Sequence, residues 1–200
     1  MVKAGWMGGV AALALMLASC GSDTGDTAAN GEAPALTDAD RSGDPLAAVM
    51  ADEASLTKMD AAFEDTGLIG VLEGEASYTV FAPGDGAFAA LEGDAAEVFD
   101  DPLRRALVAA ILRDHMVPGA LTPDAIRDAI ESSGGPVSLA SFGLGDMTLS
   151  LDGDTLVATA ANGVSAQLGD GAVVASNGVV IPIDAVLIDP RALAGDSGGE

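Results

Sequence analysis

At 200 residues, 49% of them apolar, the chain is long enough for one domain of ordinary size with tails and has ample material for a single core. Eight basic residues against 31 acidic ones leave a formal charge of −23, which argues against nucleic acid as a partner and against electrostatic recruitment to anionic headgroups. A single cysteine excludes an internal disulfide framework and any multi-cysteine metal site.

Residues 1–19 read as an export signal: Lys3 supplies a short positive region, and the apolar run Val10 to Leu17 is too short to span a bilayer comfortably. The run ends in Leu17, Ala18, Ser19 and Cys20, a tetrad that resembles the lipobox of bacterial lipoproteins. That resemblance implies lipidation of Cys20 as the new N-terminus. With several acyl chains on one residue, at about 0.8 kcal/mol per buried methylene, anchoring is stable and is the only expected link to a membrane. Gly21 and Ser22 follow with no immediate acid, a pattern similar to outer-membrane sorting in a Gram-negative host. The expected location is therefore the bacterial cell envelope.

Residues 20–43 form the lipidated start and an acidic tether, rich in Gly, Ser, Thr, Asp and Ala and too poor in large apolar groups to offset its own ordering entropy. Asp38, Asp40, Ser42 and Gly43 imitate the opening of a calcium loop, but the twelfth position, where a bidentate Glu is required, holds Val49. No metal site is expected.

The domain is expected over 44–190. Leu46, Val49 and Met50, then Leu56, Met59 and Phe63, recur at helical spacing until Gly67, and Leu68 to Leu72 add a further turn. Tyr78 to Phe81 is β-branched and aromatic in the way a half-buried strand requires, and the strand stops at Pro83 and Gly84. Asp85 is placed to cap a helix running through Ala87, Phe88 and Leu91. Asp101 and Pro102 start another helix, whose buried face is expected at Leu103, Leu107, Ala110 and Ile111, with Arg104 and Arg105 outward. It runs toward His115 and closes at Pro118 and Gly119. His115 is the only histidine. A packed role near a helix C-terminus fits it, where its positive form would be favoured.

Thr122 and Pro123 start a helix through Ile126 and Ile130 that ends at Gly134 and Gly135. Five short alternating segments follow, Val137 to Leu139, Met147 to Leu151, Thr155 to Thr159, Val164 to Gln167 and Val173 to Ala175. They read as a β meander with hairpin turns at Asp152–Gly153 and at Gly169–Asp170–Gly171. Asn177 and Gly178 then form a turn, Val179 to Ile183 a buried strand with Pro182 needing no amide donor, and Asp184 a polar break. Residues 191–200 are a small, polar tail expected to be disordered.

Three of these segments resemble the fasciclin domain family. Thr79, Val80, Phe81, Ala82, Pro83, Asp85 and Phe88 match its first signature motif. His115, Val117, Pro118 and Gly119 match the segment in which a leucine-rich helix leads through Tyr-His into Val-Val-Pro-Gly. Asn177, Gly178, Val179, Val180, Ile183, Asp184, Val186 and Leu187 match its second. The chain departs from the pattern at Asp114, where the family has tyrosine, at Gly84, at Ile181 and at Pro182. The Tyr-His segment is associated with integrin contact in animal members, so Asp114 counts against that activity here.

The resemblance implies an α+β fold, with helices flanking a wedge of two β-sheets, and a non-enzymatic domain for adhesion or surface and matrix interaction. Its expected partner is a surface or matrix protein or glycan, the domain itself being monomeric and without cofactor. A small-molecule or glycan-binding envelope lipoprotein is the alternative. A hydrolase built on Asp85, His115 and Asp184 lacks a positioned nucleophile, and no phosphate loop or HExxH helix is present.

Overall fold

The computed structural model describes residues 35–36 and 41–189. The export signal, Cys20, most of the tether with Asp38 and Asp40, and the tail from Pro190 lie outside the described residues. Among the described residues no helix is long and apolar enough to cross a membrane.

Three helices open the domain: α1 (Leu46–Asp52), α2 (Thr57–Thr66) and α3 (Ile69–Leu72). Leu46, Val49, Met50, Met59 and Phe63 all face inward, as their spacing requires, and Gly67 ends α2 in the left-handed conformation at φ 74°. Strand β1 (Tyr78–Pro83) follows, then α4 (Asp85–Ala89), which stops short of Leu91, and α5 (Asp94–Asp100), a helix not expected from the local pattern. Next come a 3₁₀ turn (Pro102–Arg104), α6 (Arg105–Asp114), β2 (Met116–Pro118) and α7 (Pro123–Ser133). Five further strands then run as β3 (Val137–Ala140), β4 (Asp146–Asp152), β5 (Thr155–Thr159), β6 (Ser165–Gln167) and β7 (Val173–Ala175), before β8 (Gly178–Ile183) completes the fold.

The strands make two four-stranded sheets, ordered β2-β1-β8-β7 and β3-β4-β5-β6. β1 and β8 are central and parallel, in register from Tyr78 opposite Gly178 to Pro83 opposite Ile183. Both are buried on two faces; β8 is accordingly a continuous apolar run, while β1, expected to be half-buried, carries one polar residue, Thr79, whose hydroxyl is hydrogen-bonded. The pleat divides their side chains between two cores. Val80, Ala82 and Val180 point to the helices, where Leu46, Met50, Phe63 and Leu112 lie. Phe81, Val179, Ile181 and Ile183 point to the second sheet, against Met147, Leu149, Leu156 and Ala158, with Ile126 and Ile130 of α7 closing that layer.

Several local expectations need correction. In α6 the buried side chains are Val108, Ile111 and Leu112, whereas Leu103 is 93% exposed and Leu107 also faces solvent. The intervening 3₁₀ turn has three residues per turn rather than 3.6, so a helical count begun at Asp101 loses phase before α6 starts. Strand β7 does not extend the meander. It turns back through Ser176 and Asn177 to pair antiparallel with β8, so the Gly169 to Gly171 connection crosses between sheets and is not a hairpin. Gly171 is needed there: its φ is 84°, and a Cβ would come within 2.9 Å of the Leu36 carbonyl oxygen.

The Pro182 expectation holds. Its carbonyl accepts from the Gly169 amide at 2.8 Å, beyond the end of β7, and the missing N–H points to that same side, away from β1. Asp184 ties the two sheets at this edge, accepting from the Gln167 amide at 2.7 Å while its own amide donates to the Gln167 carbonyl.

Candidate interaction surface

Residues carrying the motif resemblance sit mostly in the interior, where they fix backbone geometry. Thr79 is buried, donates its hydroxyl to the Gly119 carbonyl at 2.7 Å and accepts from the Leu121 amide at 2.8 Å, holding the turn after β2. Gly119 permits that turn with φ 93°, and Pro118, opposite Tyr78, ends β2. Phe88 is half-buried with its ring edge-to-face against Phe99, the centroids 5.0 Å apart. Asn177 is buried between three segments: its Oδ1 accepts from the Leu46 amide at 2.8 Å, and its Nδ2 donates to the Leu72 carbonyl at 2.8 Å and the Gly74 carbonyl at 2.7 Å. Gly178 is required by close approach, since a Cβ there would overlap the Tyr78 carbonyl oxygen.

Asp85 does cap a helix, but another one. The cap position of α4 is Gly84, which has no side chain to offer, and Asp85 is the first helical residue. Its carboxylate reaches across to α2, accepting from the Lys58 amide at 2.8 Å and the Thr57 hydroxyl at 2.6 Å. Leu56, the cap residue of α2, has no polar side chain, so an acid 27 positions downstream satisfies that orphan amide and its positive helix end.

His115 is buried and neutral, contrary to the expectation of a favoured positive form. Nδ1 donates to the Ile111 carbonyl at 2.8 Å, and Nε2 accepts from the Leu187 amide at 3.0 Å, an arrangement that requires one ring proton. Burial pushes its pKa down from 6.5 to about 4, only partly opposed by the Ile111 carbonyl. The helix end favours the cation, but desolvation is the larger effect. Asp85, His115 and Asp184 are thus committed to separate bonds, and no hydrolytic constellation forms. Among the described residues no group of three or more His, Cys, Asp or Glu is placed to hold a metal.

What the sequence did not single out is the loop between β3 and β4. Ser141 folds it, donating to the Gly145 carbonyl at 2.7 Å and accepting from the Gly143 amide at 3.1 Å. The loop is laid against the end of α6: the Phe142 amide donates to the Met116 carbonyl at 2.9 Å, and the Leu144 amide to Asp114 Oδ1 at 3.3 Å. Gly143 leaves room for Asp114, because a Cβ there would overlap the carboxylate. Burial raises the Asp114 pKa above the ordinary carboxylate value, with the Leu144 amide and the Ser141 hydroxyl offsetting part of the effect. Two large apolar side chains are displayed as a result. Phe142 is 43% exposed, with its ring edge toward Tyr78 at 5.2 Å, and Leu144 is fully exposed.

Beside this loop opens a cleft of about 280 Å³, with Asp114, Asp146, Met147, Ala160 and Ala161 among its walls. A second, of about 240 Å³, lies between α2, α4 and α5 with Phe88, Leu91 and Phe99 as its apolar side. The one visible hint of the first surface was two large apolar residues inside the glycine-rich run Ser141 to Gly145.

Comparison with known proteins agrees with this architecture. The chain is 32% identical over 142 residues to protein sll1483 of Synechocystis sp., covering 71% of this chain and 72% of that protein. Its fold matches the structure of a domain pair from the insect cell adhesion molecule fasciclin I with a TM-score of 0.63 at 15% identity, over 75% of this chain. The match spans about half, 52%, of that two-domain chain. The fasciclin domain profile matches residues 54–189, which is most of the sequence, and the chain therefore belongs to the fasciclin domain family.

Proposed function

We propose that this protein is a non-enzymatic, lipid-anchored fasciclin domain of the bacterial cell envelope that mediates adhesion or contact with a surface or matrix partner. Fasciclin domains are generally non-catalytic binding domains. The observation that carries the reading here is the Phe142 to Leu144 loop. Two large apolar side chains, Leu144 fully exposed and Phe142 partly so, are held by a hydrogen-bonded turn next to Asp114 and an open cleft, which supports reading this loop as a contact surface. Fasciclin I, the source of the similar domain pair, is described as a cell adhesion molecule.

The alternative, a small-molecule or glycan-binding lipoprotein, receives less support. Both clefts are open, and each is smaller than the roughly 300–1,000 Å³ that encloses a small ligand. Attachment of cells to a surface tests the leading reading. Deleting the gene should reduce attachment, the wild type should restore it, and a Cys20→Ala version should not. Unchanged attachment in the deletion strain would sink the proposal. Anchoring is tested separately by metabolic labelling with a fatty-acid analogue, where an unlabelled mature protein contradicts lipidation at Cys20.

A further inference from the structure

We infer that the cleft beside Asp114 receives a lysine or arginine side chain of a basic partner polypeptide. The inference rests on the reading of the Phe142 to Leu144 face as an interaction surface and gives the partner a chemistry. The cleft is amphipathic in the way such a side chain needs. Met147, Ala160, Ala161 and Leu144 supply apolar lining suited to a methylene stem, and Asp114 and Asp146 line the same cleft with carboxylates for its charged head. Asp114 is held in place by the Leu144 amide and by the close passage of Gly143, so its carboxylate does not have to be ordered on binding.

No ion pair is made by Asp114 among the described residues, although the residue is half-buried. Burial already disfavours its charge, and a cation in the cleft would relieve that cost. The long-range field has the same sign. With 31 acids against 8 bases, the surface draws basic partners in and repels acidic ones. Arg113 is adjacent in sequence but exposed and makes no salt bridge to Asp114, so the carboxylate, though hydrogen-bonded by the loop, has no cation of this domain paired with it among the described residues.

The test is a nuclear magnetic resonance titration of the domain with the peptide acetyl-Gly-Gly-Lys-Gly-Gly-amide, its norleucine counterpart and n-butylamine. The lysine peptide should shift the Leu144 and Ala161 amides with millimolar saturation, and the norleucine peptide should not. Asp114→Asn should weaken binding by about tenfold, the size of one charge-assisted contact, whereas Asp170→Asn, an equal charge change at an exposed turn, should leave it unchanged. Ala161→Leu, which fills the cleft and keeps the carboxylate, should abolish binding even if Asp114→Asn folds poorly.

Equal losses in Asp114→Asn and Asp170→Asn, binding of the norleucine peptide, or no shift at saturating lysine peptide would each overturn the inference. So would n-butylamine binding as tightly as the peptide, which would make this a small-amine site. Attachment assays separate the two claims. If Phe142→Ser with Leu144→Ser abolishes attachment while Asp114→Asn attaches normally, the face stands and the cationic partner falls. If attachment ignores all three substitutions, the face itself is wrong, and the titration still decides what the cleft binds.

Discussion

The imidazole of His115 accepts the amide of Leu187 at 3.0 Å, joining the end of α6 to the segment that follows β8 across 72 positions of sequence. The same ring donates back to Ile111, so one neutral side chain closes a helix and fastens the last apolar segment to it. This bond makes the fold sensitive to acid. The folded pKa is about 4 against an ordinary 6.5, so between these values the unfolded chain takes up a proton that the native state refuses. Stability contributed by the neutral ring is therefore complete above pH 6.5 and is lost as the pH falls toward 4, by on the order of 3 kcal/mol in total. Asp60, Asp114 and Asp184 act in the opposite sense, because their raised values let the fold keep protons the unfolded chain releases. The comparison that isolates the histidine is urea unfolding of wild type and His115→Gln at pH 7 and 4.5. Wild type should lose more stability on acidification than the variant, and equal losses would refute the assignment.

Asp85→Ala should lower stability by about 1 kcal/mol, the usual size of a lost N-cap. The affected helix should be α2, not α4. Hydrogen exchange can tell them apart: the Lys58 amide should exchange faster in the variant, because Asp85 is the acceptor it loses. Faster exchange confined to Ala87 and Phe88 would restore the local capping that the sequence suggests.

Asn177→Ala should be much more severe. It strips partners from the Leu46 amide and the Leu72 and Gly74 carbonyls at once, and each buried orphan costs about 1–3 kcal/mol. A loss of at least about 3 kcal/mol is expected in denaturant unfolding, and a loss below about 1 kcal/mol would mean that water replaces the amide. Gly178→Ala should fail by a different route, through collision with the Tyr78 carbonyl at the first rung of the β1–β8 ladder.

Phe142→Ser combined with Leu144→Ser should lower thermal stability by no more than about 1.5 kcal/mol, the size of the lost edge contact between Phe142 and Tyr78, while attachment falls. If stability falls as far as attachment, the loop serves the fold and the interaction reading loses its support.

Much of this architecture follows from local rules that act over a few residues. Pro102 after Asp101, and Pro123 after Thr122, start helices because cap and ring geometry need only neighbouring atoms. Both caps are observed, at Leu103 and Ala125 respectively. The unbroken apolar run of β8 announces a buried strand, and its central parallel pairing with β1 agrees with that composition, whereas the burial of β1 on both faces exceeds the half-buried strand its sequence suggests.

Other features depend on where distant segments come to rest, and no local pattern carries them. The buried face of α6 is set by its packing after a 3₁₀ turn has changed the phase. The sheet that β7 joins is set by its hairpin to β8, and the amide that Asp85 satisfies belongs to a helix 27 positions earlier. His115 loses its proton because the whole fold excludes water from the ring, a property of the finished interior. The exposure of Phe142 and Leu144 is likewise decided only when the loop is pinned to Met116 and Asp114, since an apolar side chain is a core residue or a surface one according to what is packed against it.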